Sequence, residues 1–172
     1  RDLHRLNRRQ RQMCIRDSAG GGYAEEVVVA AGQVLPVPKG LSMVQAAALP
    51  EVFATAYLNL YMEGALQTTE KAIVHAGASG VGTAAIQLLK QSGNPVFVTV
   101  GSDEKLRSCV ELGADTGSVR HQGSFAEAAT AWAGEQGVDV ILDPVGGLYL
   151  ADNLHVLGLG GRLVLIGLMG GA

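Results

Sequence analysis

Residues 74–90 read VHAGASGVGTAAIQLLK, a glycine-rich run lying between apolar β-formers and an amphipathic helical stretch. The exit of a strand into a helix is where a chain can cradle a phosphate. Backbone amides near Gly80 to Thr83 would point at the anion, with the helix dipole aiding them. Gly77 reads as the tight turn, and Gly80 and Gly82 as positions that keep side chains away from a closely approaching ligand. The spacing departs from G-x-G-x-x-G. Gly77 and Gly82 take its first and last places, and Ser79 stands where the middle glycine belongs. A serine there can still donate its hydroxyl to phosphate. Dinucleotide binding is the favoured reading, and a glycine-rich turn serving another ligand, such as S-adenosylmethionine, is the alternative.

The next strand bears on which dinucleotide. NAD-binding folds commonly place an acid on the ribose hydroxyls about 20 residues beyond the loop. Here PVFVTV runs into Val100-Gly101-Ser102 with no acid at its tip, followed by Asp103-Glu104-Lys105. A missing carboxylate removes repulsion against a 2′-phosphate. Ser102 and Lys105 can hold that phosphate by hydrogen bond and charge, and Arg120 can close the same pocket. NADPH is therefore expected over NADH, with Asp103 read as a helix-start residue. His4, His75, His121 and His155 have no nucleophile or metal partner at recognisable spacing, and His75 reads as a packed or loop-supporting residue. Two cysteines, Cys14 and Cys109, give neither a disulfide framework nor a zinc pair, so no metal is expected.

These residues need a scaffold, and the chain supplies an alternating one. Of 172 residues, 48% are hydrophobic, 17% charged and 24 are glycine; that is enough apolar content for a core, with glycine at about twice its usual level. Residues 1–18 hold six of the thirteen basic residues and two of the sixteen acidic ones, which leaves the remainder clearly acidic. Their arginines follow no stripe, and QMCIRDS resembles translated adapter sequence. The segment is set aside as foreign or disordered, in preference to a nucleic-acid arm or a targeting peptide. Val27–Val29 reads as the end of an all-β element, and GQVLPVPKGLSM as a crossing loop. From Val44 to Gly64 the pattern is helical, with Phe53, Tyr57, Leu60 and Tyr61 on one face. Strands are predicted at Ala72–His75, Pro95–Val100, Ser118–Val119, Val138–Leu142 and Arg162–Ile166. Helices are predicted after Ser79, with Val81, Ala84, Ala85, Leu88 and Leu89 facing inward, and over Asp103–Leu112, Ser124–Ala133 and Tyr149–Leu157. Short apolar strands alternating with helices predict an α/β fold, a doubly wound parallel Rossmann sheet covered on both faces. No apolar run approaches the roughly 20 residues of a membrane span.

With these motifs together the chain resembles the zinc-free medium-chain dehydrogenases/reductases of the quinone oxidoreductase group, the p53-inducible subgroup above all. The matching segments are GGYAEEVVVAAGQVLPVPKGL, AAALPE, VHAGASGVGTAAIQLLK, VTVGSDEKL, VDVILDPVGG and GRLVLIGLMGG. The resemblance implies that residues 19–45 end a β-rich GroES-like catalytic domain. Residues 46–66 would form a linking helix, and 67–172 an NADP-binding Rossmann domain with five of its six strands, so that the chain is expected to be a piece of a longer enzyme.

By resemblance, Thr55 lies near the nicotinamide. Ser79, Gly80 and Val81 line the pyrophosphate, and Ser102 and Lys105 the 2′-phosphate. Arg120 stands where the family usually has a tyrosine beside the adenosine. Val145 and Gly146, in the loop after Asp143, and Leu168 and Met169, after Gly167, match walls along the ribose and nicotinamide. Asp143 is read as structural, and Met169 as packing rather than chemistry. The implied activity is direct hydride transfer from NADPH to a quinone or similar electron-poor alkene, without zinc and with no general acid from this chain. An enoyl or alkenal reductase of the same superfamily is the second reading, and a nucleotide-binding protein without turnover the third. The expected partners are a small-molecule acceptor and a second copy of the full-length parent, not nucleic acid or membrane, in the cytoplasm.

Overall fold

The computed structural model describes residues 3–6 and 26–171. The chain divides into two compact units, Arg1–Ala54 and Thr55–Ala172. In the first, β1 (Leu3–Leu6) pairs antiparallel with β2 (Val27–Ala30), Leu3 opposite Ala30 and Leu6 opposite Val27. Val27 and Val29 are buried with Val34 against them, while Val28 between them is exposed, the period of a one-sided strand. The backbone of Leu3–Leu6, in the segment set aside from the fold, thus partners the expected strand. Cys14 lies outside the described residues.

The spacing predicts one helix from Val44 to Gly64; the structure divides it in three. α1 (Met43–Ala47) opens with a capping box in which the Ser42 hydroxyl accepts from the Gln45 amide and the Gln45 side chain accepts from the Ser42 amide. α2 (Pro50–Tyr57) begins at a proline, whose fixed φ suits a first helical position and whose missing N–H is no loss there. A π-helical turn, Leu58–Glu63, follows in the second unit and lies against the sheet.

That sheet is built from β3 (Ala72–Val74), β4 (Val96–Val100), β5 (Thr116–Val119), β6 (Val138–Asp143) and β7 (Leu157–Leu165). All neighbours are parallel, in the order β5-β4-β3-β6-β7. The crossovers are α3 (Gly80–Ser92), α4 (Asp103–Leu112), α5 (Phe125–Ala133) and α6 (Leu150–Val156). This is the doubly wound parallel sheet that the alternation predicts. Strand parity sorts the two faces. Ile73, Phe97 and Ile141 pack with Phe125, Ala126, Ala129, Ala133 and Val156 of α5 and α6. Val98, one residue out of step, faces the side of Cys109, with Leu106 close by, on α4. On α3 the buried residues are Gly82, Ala84, Ala85, Ile86 and Leu89; Val81 and Leu88 are half-buried, so the inward face is turned by a residue toward Ile86 relative to the expected one.

β7 also begins earlier than predicted, because its register against β6 is broken. Leu157 pairs with Val138, but Arg162 already pairs with Val140. The surplus residues are glycine-rich, and Gly158 lies so close to the Gln136 carbonyl that a Cβ would stand 2.1 Å from it. Past the irregularity, Arg162 reaches back across the sheet end. Its guanidinium donates to both Glu70 carboxylate oxygens, at 3.1 and 2.6 Å, and to the carbonyls of Gly64 and Ala65. The guanidinium holds the Glu70 carboxyl below the usual carboxylate range.

Candidate dinucleotide-binding site

Strand order reverses between β3 and β6, since α3 and α4 carry the chain one way from β3 and the later crossovers carry it the other. Carboxyl ends of strands at such a reversal leave a crevice between diverging loops. A cleft of about 550 Å³ occupies it, walled by residues that include Ala78, Ser79, Gly101, Lys105, Arg120 and Val145.

The turn after β3 is shaped differently from the sequence expectation. The left-handed residue is Ala76, at φ +52°, not Gly77. Gly77 serves close approach instead, since a Cβ there would lie 2.8 Å from Val98 Cβ. Gly82 likewise makes room for backbone and not for a ligand: its Cβ would stand 2.5 Å from the Ala76 carbonyl oxygen and 2.6 Å from that of Gly77. Glycine at 82 therefore lets α3 sit down on the turn. Ser79 is the N-cap, its hydroxyl oxygen accepting from the Gly82 amide at 3.1 Å, which leaves the hydroxyl hydrogen for a ligand. The Thr83 amide makes the first helical bond, to the Ser79 carbonyl. The amides of Gly80 and Val81 precede it and have no intrahelical acceptor. Ser79 lines the cleft; Gly77, Gly80, Val81 and Gly82 do not.

At the ends of β4 and β5, Lys105 and Arg120 are exposed cations on the cleft wall, and Arg120 Nε lies 4.0 Å from where a Gly101 Cβ would be. Ser102 caps α4, accepting from the Lys105 amide at 3.3 Å, and is not itself on the wall. Asp103 accepts from the Gln122 side chain, which suits a helix-start residue. Val145 and Met169 line the other side, whereas Gly146 and Leu168 are not on the wall. Gly146 has φ +82°, and a Cβ there would meet Leu168 Cδ2 at 2.7 Å. Met169 is 71% exposed, so it is not the packing residue expected. Thr55 lies within α2, its carbonyl accepting from the Asn59 side chain, and does not line the cleft.

Sequence reasoning missed the polar layer beneath the crevice. Thr99, His75 and Asp143 stand at the carboxyl ends of β4, β3 and β6, on the α5–α6 face by parity, and Asn153 meets them from α6. His75 is edge-on to Phe125 and Tyr149, each ring centroid 4.7 Å away. Burial pushes its pKa down, opposed by the Asn153 hydrogen bond and the Asp143 charge. The signal available was Asn153, an amide in an otherwise apolar helix face, which must find partners when buried.

The profile of the zinc-binding dehydrogenase family matches residues 80–172. The chain belongs to that family. Within it the chain is of the quinone oxidoreductase-like group of medium-chain dehydrogenases/reductases. It is 31% identical over 153 residues to the quinone oxidoreductase of Rattus norvegicus, covering 89% of this chain and 46% of the relative. It is 36% identical over 149 residues to the highly reducing polyketide synthase AN6791 of Emericella nidulans, covering 85% of this chain and 6% of that protein. The quinone oxidoreductase from Thermus thermophilus, solved also with NADPH, superposes with a TM-score of 0.78 at 38% identity, over 86% of this chain and 48% of that one. The CurK enoyl reductase superposes with a TM-score of 0.80 at 34% identity, over 87% and 45%. The chain thus spans under half the length of these relatives. Among the described residues no group of three or more His, Cys, Asp or Glu side chains is arranged to hold a metal ion. No helix among the described residues is long and apolar enough to cross a membrane.

Proposed function

We propose that this chain is the cofactor-holding part of an NADPH-dependent reductase that delivers hydride to a quinone or a comparable electron-poor acceptor. The observation that carries the reading is the pairing, in one crevice, of a capped helix start with two exposed cations, Lys105 and Arg120, and no carboxylate at the tip of β4. The donors fit such a ligand. Gly80 and Val81 amides with the Ser79 hydroxyl suit a pyrophosphate, and Lys105 and Arg120 suit a terminal phosphate. Bound NADPH supplies the hydride, and the protein supplies place and orientation. Val145 and Met169 would exclude water from one flank of the ring and leave the other flank to the acceptor. No residue of the crevice is assigned a proton-transfer role, and the reading uses no zinc.

Reduction of an enoyl group is the second reading, favoured by the CurK superposition and by the polyketide synthase likeness. The crevice treats both acceptors alike, because its walls address the cofactor. Thermal melts of the chain with NADPH and with NADH test the cofactor assignment: an upward shift that is larger with NADPH is expected, and a melt moved by neither, or more by NADH, refutes it. NADPH oxidation by the parent enzyme with 9,10-phenanthrenequinone against an enoyl thioester separates the acceptors. Binding with no oxidation of either would sink the reductase assignment.

A further inference from the structure

Among the described residues only five polar side chains are buried, and four of them, Thr99, His75, Asn153 and Asp143, form a single hydrogen-bonded chain under the crevice. Its direction follows from which atoms can donate. Asp143 Oδ1 faces the amides of Val145 and Gly146, at 2.6 and 3.1 Å, and Oδ2 faces the Asn153 Nδ2 group at 2.8 Å. Every neighbour of the carboxylate is thus a donor. Asn153 therefore turns its carbonyl oxygen to His75 Nε2, 2.7 Å away, and that ring nitrogen must carry the hydrogen. His75 Nδ1 is left as an acceptor, and the Thr99 hydroxyl donates to it at 2.9 Å. Burial holds the ring neutral, in keeping with one hydrogen for two ring nitrogens.

One end of this chain is the wall of the cleft. Val145 lines it, and the loop is knit to the segment after β7 by Met169 N–H to the Pro144 carbonyl and Gly170 N–H to the Val145 carbonyl. We propose that Asp143, Asn153 and His75 are positioning residues which fix the Val145–Gly146 wall against the dinucleotide. This rests on the cofactor reading above. A charged acceptor on two consecutive amides holds them more firmly than a neutral one, and the chain behind it keeps the carboxylate from turning.

Asp143→Asn is the discriminating variant. Its new NH2 group faces Asn153, which must flip, and the flipped amide then donates to His75 Nε2. The expected results are a switch of His75 to the Nδ1–H tautomer, read by ¹⁵N NMR of the ligand-free chain, and a loss of NADPH affinity of about tenfold. The exchange variant Asp143→Asn with Asn153→Asp satisfies every bond, the 143–153 bond alone reversing so that the residue at 143 donates. It is expected to fold and keep Nε2–H but, with a neutral acceptor now on the Val145 and Gly146 amides, to lose NADPH affinity about tenfold as well. An Nδ1–H tautomer in the unaltered chain overturns the proposal. So does Asp143→Asn, or a folded exchange variant, binding NADPH within about twofold of the unaltered chain. Failure of the unaltered chain to bind NADPH overturns the cofactor reading and this one together, which the other outcomes do not.

Discussion

Replacing Gly82 by alanine sets two effects of opposite sign against each other. Alanine inside a helix is favoured over glycine by about 1 kcal/mol. The added methyl, however, would stand 2.5 and 2.6 Å from the carbonyl oxygens of Ala76 and Gly77, which are backbone atoms with no rotamer to change. Carbon–oxygen contacts settle no closer than about 3.3 Å, so α3 and the turn must part by roughly 0.7 to 0.8 Å. Overpacking of this kind costs about 1–3 kcal/mol, and contact with two fixed carbonyls belongs at the upper end. The net expectation is a loss of about 1–2 kcal/mol, or a fall in Tm of about 2–8 °C for a chain of this size. The displaced element is also the proposed phosphate cradle, so NADPH affinity should fall by about tenfold. Differential scanning fluorimetry and a binding titration on Gly82→Ala read both quantities. A Tm that is unchanged or raised, with unchanged affinity, would show that helix propensity wins and that the close contact is not what glycine serves at this position.

Lys105→Ala and Arg120→Ala should each weaken NADPH binding by about three- to tenfold, more at low salt, and leave NADH binding unchanged; equal losses for both nucleotides would place these cations elsewhere than at the extra phosphate. His75, held neutral by burial, binds no proton at a pH where the unfolded chain does, so stability is full above about pH 6.5 and declines as pH falls toward its lowered folded value. Its ring NMR signals should titrate below pH 6.5, and titration at or above 6.5 contradicts the buried chain. Glu70→Gln removes the carboxylate that Arg162 holds, both side chains being about a quarter exposed. A loss of no more than about 1 kcal/mol is expected at pH 7. Because the folded carboxyl titrates low, that contribution is present above about pH 4.3 and vanishes as pH falls through its folded value. The Tm difference between Glu70→Gln and the unaltered chain should shrink accordingly below pH 4; a difference that persists there argues for a packing effect.

The sheet was legible because its strands are short apolar runs set off by glycine: β6 reads VDVIL and β4 VFVTV, with little else those residues could do between helices. α4 was placed residue for residue at Asp103–Leu112, with Asp103 read as its start. The long helix from Val44 was misjudged because apolar periodicity persists through Leu49-Pro50 although the backbone breaks there, and no spacing rule announces a π-helical turn. The phosphate loop was found as a motif, but the duties of its glycines were not. Ala76 takes the left-handed turn while Gly77 and Gly82 make room for backbone, a distinction that depends on which atoms lie across from each Cα. Lys105 and Arg120 were readable from charge and position. The Thr99–His75–Asn153–Asp143 chain was not, since its members lie up to 78 residues apart in sequence and meet only through strand parity.

β3 is three residues long and stands at the centre of the sheet, with β4 on one side and β6 on the other. Its first neighbour is made soon after it, but its second begins only at Val138, about 64 residues later. At translation rates of about 5–20 residues per second, that edge waits roughly 3–13 s for its partner on the ribosome. During this interval the half-sheet β5-β4-β3 presents unpaired backbone flanked by Ala72, Ile73 and Val74, all fully buried in the finished fold. The centre of the mature sheet is therefore an open edge while the chain is being made.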